Sequence, residues 1–375
     1  MASLTTGANN IAIGMLALGG MTTFSANIAI GTSALAASNV NNNMGIGSSA
    51  GAAITTGTRN IAIGHTAYTA SDTESDNMAI GFQAMTTNTA GGSLNTAVGN
   101  YSLDALTSGD RNTGLGHETL TSCTAQVDCT AVGYNALGTA VDGNGNNTAV
   151  GSRAMQSLNT GSNNTAVGFT AGQAVTTGTN NIFIGLDAAQ NFTTGGNCTL
   201  IGNYTEASAV DGSQQMVIGY NVTGTGNQAF TFGNAGLDSN IDFGATSISA
   251  PSDIRLKENI NDDTAGLSFI NDLRPVTFNW KKEKDIPEEM STHKAGSEER
   301  FNNDKLNHGF IAQEVKAVID NHSEIKDGFK MWKEDEKDGR QRIAEGALVP
   351  MLVKAIQELS AKNDALLARI ETLEG

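Results

Sequence analysis

The chain has 375 residues, 44 glycines, 4 prolines and a net charge of −16. Those averages hide two different polymers. Residues 1–250 contain no lysine, three arginines (Arg59, Arg111, Arg153) and thirteen acids, for a net charge of −10. All four prolines (Pro251, Pro275, Pro287, Pro350) and both tryptophans (Trp280, Trp332) lie from 251 onward, where 44 of 125 residues are charged. A single ordinary globular domain is excluded, and a boundary falls near Pro251. A lysine-free acidic stretch offers no cationic face for nucleic acid. No window approaches the roughly 18 apolar residues of a membrane span. Residues 1–7 lack the basic and apolar regions of a secretory leader, so folding in the cytoplasm of the producing cell is expected. The three cysteines (Cys123, Cys129, Cys198) have no metal-ligand spacing and read as small core residues, with a disulfide as the minor alternative.

In chain order, the first element is a repeat. Asn10-Ile11-Ala12-Ile13-Gly14 returns at Asn27, Asn60, Asn95, Asn147 and Asn164 in the form Asn-[Ile/Thr]-Ala-[Ile/Val]-Gly. The terminal glycines run from Gly14 to Gly219 at spacings of 16 to 18, with a degenerate copy at Gly233. Such a period marks a solenoid. The alternation predicts a short strand with one face buried, ended by glycine at a corner that needs positive φ or close backbone approach. Alanines three residues on (Ala17, Ala34, Ala67, Ala84) predict a thin core, and absence of proline spares the ladder donors. At about 4.8 Å per coil, thirteen or fourteen coils make a rod of roughly 60–70 Å. So thin a coil buries little alone, so association of several rods is expected. Asparagines four before each glycine predict a structural ladder, with Cys129, Cys198 and Gln215 as exceptions; calcium or sugar binding there is the lesser reading. No cofactor or metal is expected.

These repeats resemble the head repeats of trimeric autotransporter adhesins and related phage tail-fibre repeats, over residues about 8 to 234. The resemblance implies a β-roll packed as a trimer. The adhesins' leader and C-terminal membrane barrel have no counterpart in the sequence.

Past the composition break come Ser252-Asp253-Ile254-Arg255-Leu256-Lys257-Glu258, then His308-Gly309-Phe310-Ile311-Ala312-Gln313-Glu314-Val315, then Leu348-Val349-Pro350-Met351-Leu352. On spacing alone, Ser252 and Lys257 are a weak signal. A lysine can serve as base for a serine, but a serine beside Glu258 is more often cap chemistry. Together the three segments resemble the intramolecular chaperone auto-processing domain that ends endosialidase tailspikes and many phage tail fibres. The resemblance covers about residues 251–375. It implies a domain that trimerises, templates folding of the upstream rod and is cut between Ser252 and Asp253. Ser252 and Lys257 would be its catalytic dyad, a peptidase acting once, in cis or within the trimer.

Extended, five residues span about 17 Å, whereas catalytic contact needs about 3 Å; the segment must turn back, or Lys257 must serve an adjacent subunit. The charged insert 281–301 is expected to reach along the fibre or lie without order. Leu352, Ile356, Leu359, Asn363, Leu366, Ile370 and Leu373 fall at heptad spacing, predicting a coiled coil over 350–374 with Asn363 fixing register. Residues of this type lean toward a dimer, while the resemblance implies a trimer. An amphipathic helix packed on its own domain is the plainer alternative.

The expected fold is therefore mainly β: a parallel β-solenoid rod over 1–250, then an α+β chaperone domain over 251–375. The expected function is a virion tail fibre, a homotrimer made in the host cytoplasm. Its partners are other tail proteins and a host surface receptor, either a glycan or an outer-membrane component. A polysaccharide-degrading tailspike is one alternative. It needs paired carboxylates about 5–10 Å apart, and the acids of the rod cluster once, at Asp72, Glu74 and Asp76. A cellular surface adhesin and a threonine-rich ice binder (Thr96, Thr113, Thr130, Thr148, Thr165) are the others.

Overall fold

The computed structural model describes residues 6–374 apart from 21–22, 72, 88–90, 141–144, 246, 291, 327–328 and 336–338. The chain divides into two compact units, Met1–Asp253 and Ile254–Gly375.

The first unit is a parallel β-solenoid. Its sheet holds the strands in chain order, from β1 (Ile11–Ile13) through β12 (Thr199–Ile201) to the longer β13 (Gln215–Tyr220) and β14 (Ala229–Asn234). Equivalent residues pair directly: Ile11 with Ile28, Thr148 with Thr165, Ile182 with Thr199. β15 (Leu237–Asp242) turns back antiparallel on β14 and ends the parallel stack. The strands up to β12 are three residues long because the following glycine leaves the extended region, with φ between 124° and 142° at the corner glycines from Gly14 to Gly202. At Gly151 a Cβ would lie 2.1 Å from the Gly168 carbonyl oxygen, so only glycine lets successive corners stack.

The face turned inward is the alanine face. Ala29, Ala62, Ala97, Ala131 and Ala166 are fully buried, while the β-branched residues beside them stay half-exposed. The core is thicker than the alanine rows imply, which corrects the expectation of a coil that buries little. Four residues past the glycine stand Leu35, Tyr68, Met85, Leu103, Leu120 and Met155, all fully buried. Three further on stand Ile54, Leu106, Leu158 and Phe192, also buried. Most coils are thus filled mainly from the turn region; in the last coils the strands add bulk, with Phe183, Leu200 and Val217 fully buried. The residues of the first row reach inward from left-handed backbone, at φ from 46° to 53° in these six. That conformation is unfavourable for a large side chain by roughly 1 kcal/mol or more. Burial of a Leu or Met at about 1.5–3 kcal/mol offsets it. Gly51 and Gly172 occupy this row in two coils; at Gly172 the Phe183 ring fills the space, 2.8 Å from where a Cβ would sit, and at Gly51 Leu35 and Ile54 do, each at 2.9 Å.

The asparagine ladder is structural. The Asn60 amide donates to the Glu74 carbonyl (2.7 Å) and its oxygen accepts the Asn77 N–H (3.0 Å). Asn95, Asn112 and Asn164 repeat the pattern. These side chains are at most 1% exposed, so each satisfies two backbone groups that would otherwise be buried unpaired. Cys123, Cys129 and Cys198 are buried free thiols, as the sequence reading has them, and burial pushes the Cys129 and Cys198 thiols up.

The second unit is small and mixed. In order it contains α1 (Leu267–Asp272), β16 (Val276–Phe278), β17 (Asn307–Gly309), α2 (Ala312–Asn321), β18 (Trp332–Glu334), β19 (Gln341–Ile343) and the 26-residue α3 (Val349–Glu374). β16 pairs with β17 and β18 with β19, both antiparallel. One core gathers Phe269 from α1, Val315 and Ile319 from α2, Leu348 just before α3 and Met351 in its first turn. Pro350 sits in the first turn of α3, where its missing N–H costs nothing.

Candidate functional site

Ser252 and Asp253 end the first unit, and Lys257 lies in the second. Every described residue from 247 to 264 is exposed. A one-turn 3-10 helix, Ile254–Leu256, separates the serine from the lysine, and Lys257 N–H donates to the Ile254 carbonyl at 3.1 Å. The segment therefore turns at Ile254–Leu256. Its apolar side chains point to solvent: Ile254 is 72% exposed, Leu256 71% and Ile260 63%.

The motif at 308–315 has a mainly structural part. Gly309 closes β17, Val315 enters the core, and Glu314 forms a two-pronged pair with Arg274 (Nε to Oε2, 2.9 Å). That contact holds the Glu314 carboxyl below the usual carboxylate range. The bridge at His322 has no local signal in the sequence. Its Nε2 lies 2.9 Å from Asp272 and its Nδ1 3.0 Å from Glu324, with the ring edge-on to Phe269. Hydrogen bonds to Glu324 and Asp272 raise its pKa above the ordinary histidine value, because both carboxylates favour the charged ring.

α3 touches its own unit only through its first turns. Met351 and Ala355 are buried, and the Glu358 carboxylate accepts the Leu267 N–H at 2.9 Å, capping α1 from 91 residues away. The heptad positions all lie exposed, including Leu352 (42%), Ile356, Leu359, Asn363, Leu366, Ile370 and Leu373 (79%). Most of the helix is thus not packed on its own unit. The insert 281–301 departs from the extended or unordered loop expected of it. It closes on itself: Phe301 N–H meets the Lys281 carbonyl, and buried Glu283 accepts from Lys294 and Ser297, each at 2.8 Å. Lys282 and Lys284 both bind Glu298 and hold its carboxyl down to about 2.

In the rod, the acid cluster is committed to structure. Burial pushes the Glu74 carboxyl up, but hydrogen bonds from Ser71, Thr73 and Gly91 outweigh it and leave it below the usual value. Asp76 pairs with Arg59 (2.5 Å), and Asp72 lies outside the described residues. No group of His, Cys, Asp and Glu able to hold a metal occurs among the described residues. Nor is any described helix long and apolar enough to cross a membrane. One outward row is aliphatic: the residue before the corner glycine is Ile, Val or Leu in every coil to Ile218, with Ile13 59%, Leu115 47% and Val167 38% exposed.

Residues 252–324 match the family described as chaperone of endosialidase. The match begins at Ser252, where the solenoid unit is ending, and takes in α1, β16, β17 and α2. β18, β19 and α3 lie beyond it. No curated protein and no solved structure matches the chain. A β-solenoid followed by an endosialidase-chaperone segment is the layout of a tail-fibre or tailspike type of protein.

Proposed function

We propose that the chain is a trimeric, receptor-binding tail fibre of a virion. Its C-terminal unit assembles three chains, guides folding of the rods and is released by a cut between Ser252 and Asp253. The observation that carries this reading is the family match starting at Ser252, on an exposed turn at the end of the rod. The solvent-facing heptad row of α3 and the aliphatic row of the rod support association, because both expose apolar surface that a second and third copy would cover.

The chemistry of the cut is hydrolysis. The Ser252 carbonyl carbon gains a hydroxyl from water, and the Asp253 nitrogen leaves with a proton. The Ser252 hydroxyl cannot attack its own carbonyl without a four-membered ring, and an N-to-O shift would break the bond before it. The Ser252–Lys257 pair therefore acts on a water, or a serine from a neighbouring chain attacks. Either route ties cleavage to the folded assembly.

Expressed in bacteria, the wild type is expected to run as fragments of 252 and 123 residues on a denaturing gel. Ser252→Ala and Lys257→Ala are each expected to run as one full-length band. Native mass of the uncut variants reports the trimer. A wild-type chain that stays whole defeats the processing claim, and a monomeric mass defeats the chaperone claim.

A further inference from the structure

The exposed rings of the rod form a continuous ladder. His65 stacks on Phe82 (centroids 5.5 Å apart, planes 14°), Phe82 meets Tyr101 (5.4 Å, 72°), Tyr101 meets His117 (5.9 Å, 74°) and His117 stacks on Tyr134 (5.8 Å, 24°). Arg153 closes the row over the Tyr134 ring at 5.9 Å. Four of the five rings stand directly after a coil glycine. The fifth coil has Asn100 there, and Tyr101 supplies the ring from the next position, with φ 59°. Apart from half-buried Tyr101 the rings are exposed, Phe82 38% and Tyr134 44%. Because Tyr101 stands nearly perpendicular to both neighbours, the row presents ring edges and a ring face, about 20 Å from end to end.

We propose that this ladder is the platform on which the fibre binds an uncharged oligosaccharide, the apolar faces of successive sugars lying on the rings. The inference rests on the receptor-binding reading and gives that reading a ligand class and a place. Three observations select the ligand. The surrounding 250 residues carry −10, which repels polyanions. The backbone between the rings is already used, Tyr101 N–H on the Phe82 carbonyl (3.0 Å) and Asn135 N–H on His117 (3.0 Å), so no peptide strand can add to it. A second copy of the rod is disfavoured by extent: the aliphatic row runs the length of the stack, whereas the ladder ends at Ser152, where the position carries no ring. What remains is stacking by side chains, with amide, hydroxyl and guanidinium groups alongside to orient sugar hydroxyls.

The test uses the full-length chain on a printed array of uncharged oligosaccharides built from glucose, galactose, mannose and N-acetylhexosamines. Adsorption to a panel of bacterial cells and native mass are measured in parallel. The wild type is expected to bind at least one sugar. Phe82→Ala with Tyr134→Ala is expected to bind it about tenfold or more weakly. Phe169→Ala, at the same place in its coil but with no ring neighbour among the described residues, is expected to bind like the wild type. An empty array, or a double variant that binds as well as the wild type, overturns the proposal. So does a double variant whose native mass falls, which would make the ladder a contact between subunits. If the wild type adsorbs to cells while the array stays empty, the receptor reading survives and the ligand class does not. If it adsorbs to none, both fall.

Discussion

The two units are held by contacts of different reach. In the rod, the side-chain bonds of the asparagine ladder span 14 to 18 positions, one coil, from Asn10 to Asn181 with a break at Cys129. In the C-terminal unit the bonds that tie elements together span 40 positions (Arg274–Glu314), 50 (His322–Asp272) and 91 (Leu267–Glu358). A coil therefore knows only its neighbours, and the rod is close to a one-dimensional chain of equivalent steps. The C-terminal unit closes only when distant parts of its sequence have met. That division suits a small unit that folds first and a long one that follows it.

The largest effect is expected at a corner. Gly151→Val places a branched side chain against the Gly168 backbone at φ 138°, and should cost about 3 kcal/mol or more. Hydrogen exchange should show lost protection in the adjoining coils and not in the second unit; uniform loss across both would break the comparison. Next comes the ladder. Asn164→Ala leaves the Asn181 N–H and Gly178 carbonyl without their partner, at about 2–4 kcal/mol, read from the urea midpoint of the rod.

A smaller, pH-dependent effect belongs to the second unit. The His322 pKa is raised above its ordinary 6.5, so the bridge contributes fully below 6.5 and is lost as pH rises through the folded value. The melting temperature of that unit should fall over this window, and His322→Ala should flatten the fall. Smallest of all, Arg111→Ala removes an exposed pair with Asp128 (2.7 Å) and should leave the midpoint of the rod unchanged within error. A clear shift would mean that another copy covers this edge.

Much of the rod is legible in the sequence because its period is covalent: the strands, the glycine corners, the asparagine ladder and the buried cysteines all follow from one repeat. The second tier of core follows the same period, since Leu35, Met85 and Leu120 recur at one offset from the glycine, but glycine, alanine and glutamate take that offset in other coils and blur the row. The left-handed backbone under Leu35 or Tyr68 leaves no trace, because intrinsic preference points the other way and stacking overrides it. In the second unit, the heptads announce α3, and no local pattern announces His322, whose partner Asp272 is 50 residues away. The closure of the 281–301 insert likewise depends on pairs such as Lys294 with Glu283, which charge composition alone does not place.

The asparagine ladder also joins coil to coil. Asn60 gives its amide to Glu74 and takes the N–H of Asn77, both on the coil that follows. Asn164 and Asn181 also turn an amide hydrogen back to the asparagine oxygen of the coil before. Every rung therefore joins one coil to the next, and the same bonds form whichever of the two is laid down first. A partly built stack ends in an asparagine whose carbonyl and N–H partners are still to come, and that open end is a template for the next coil.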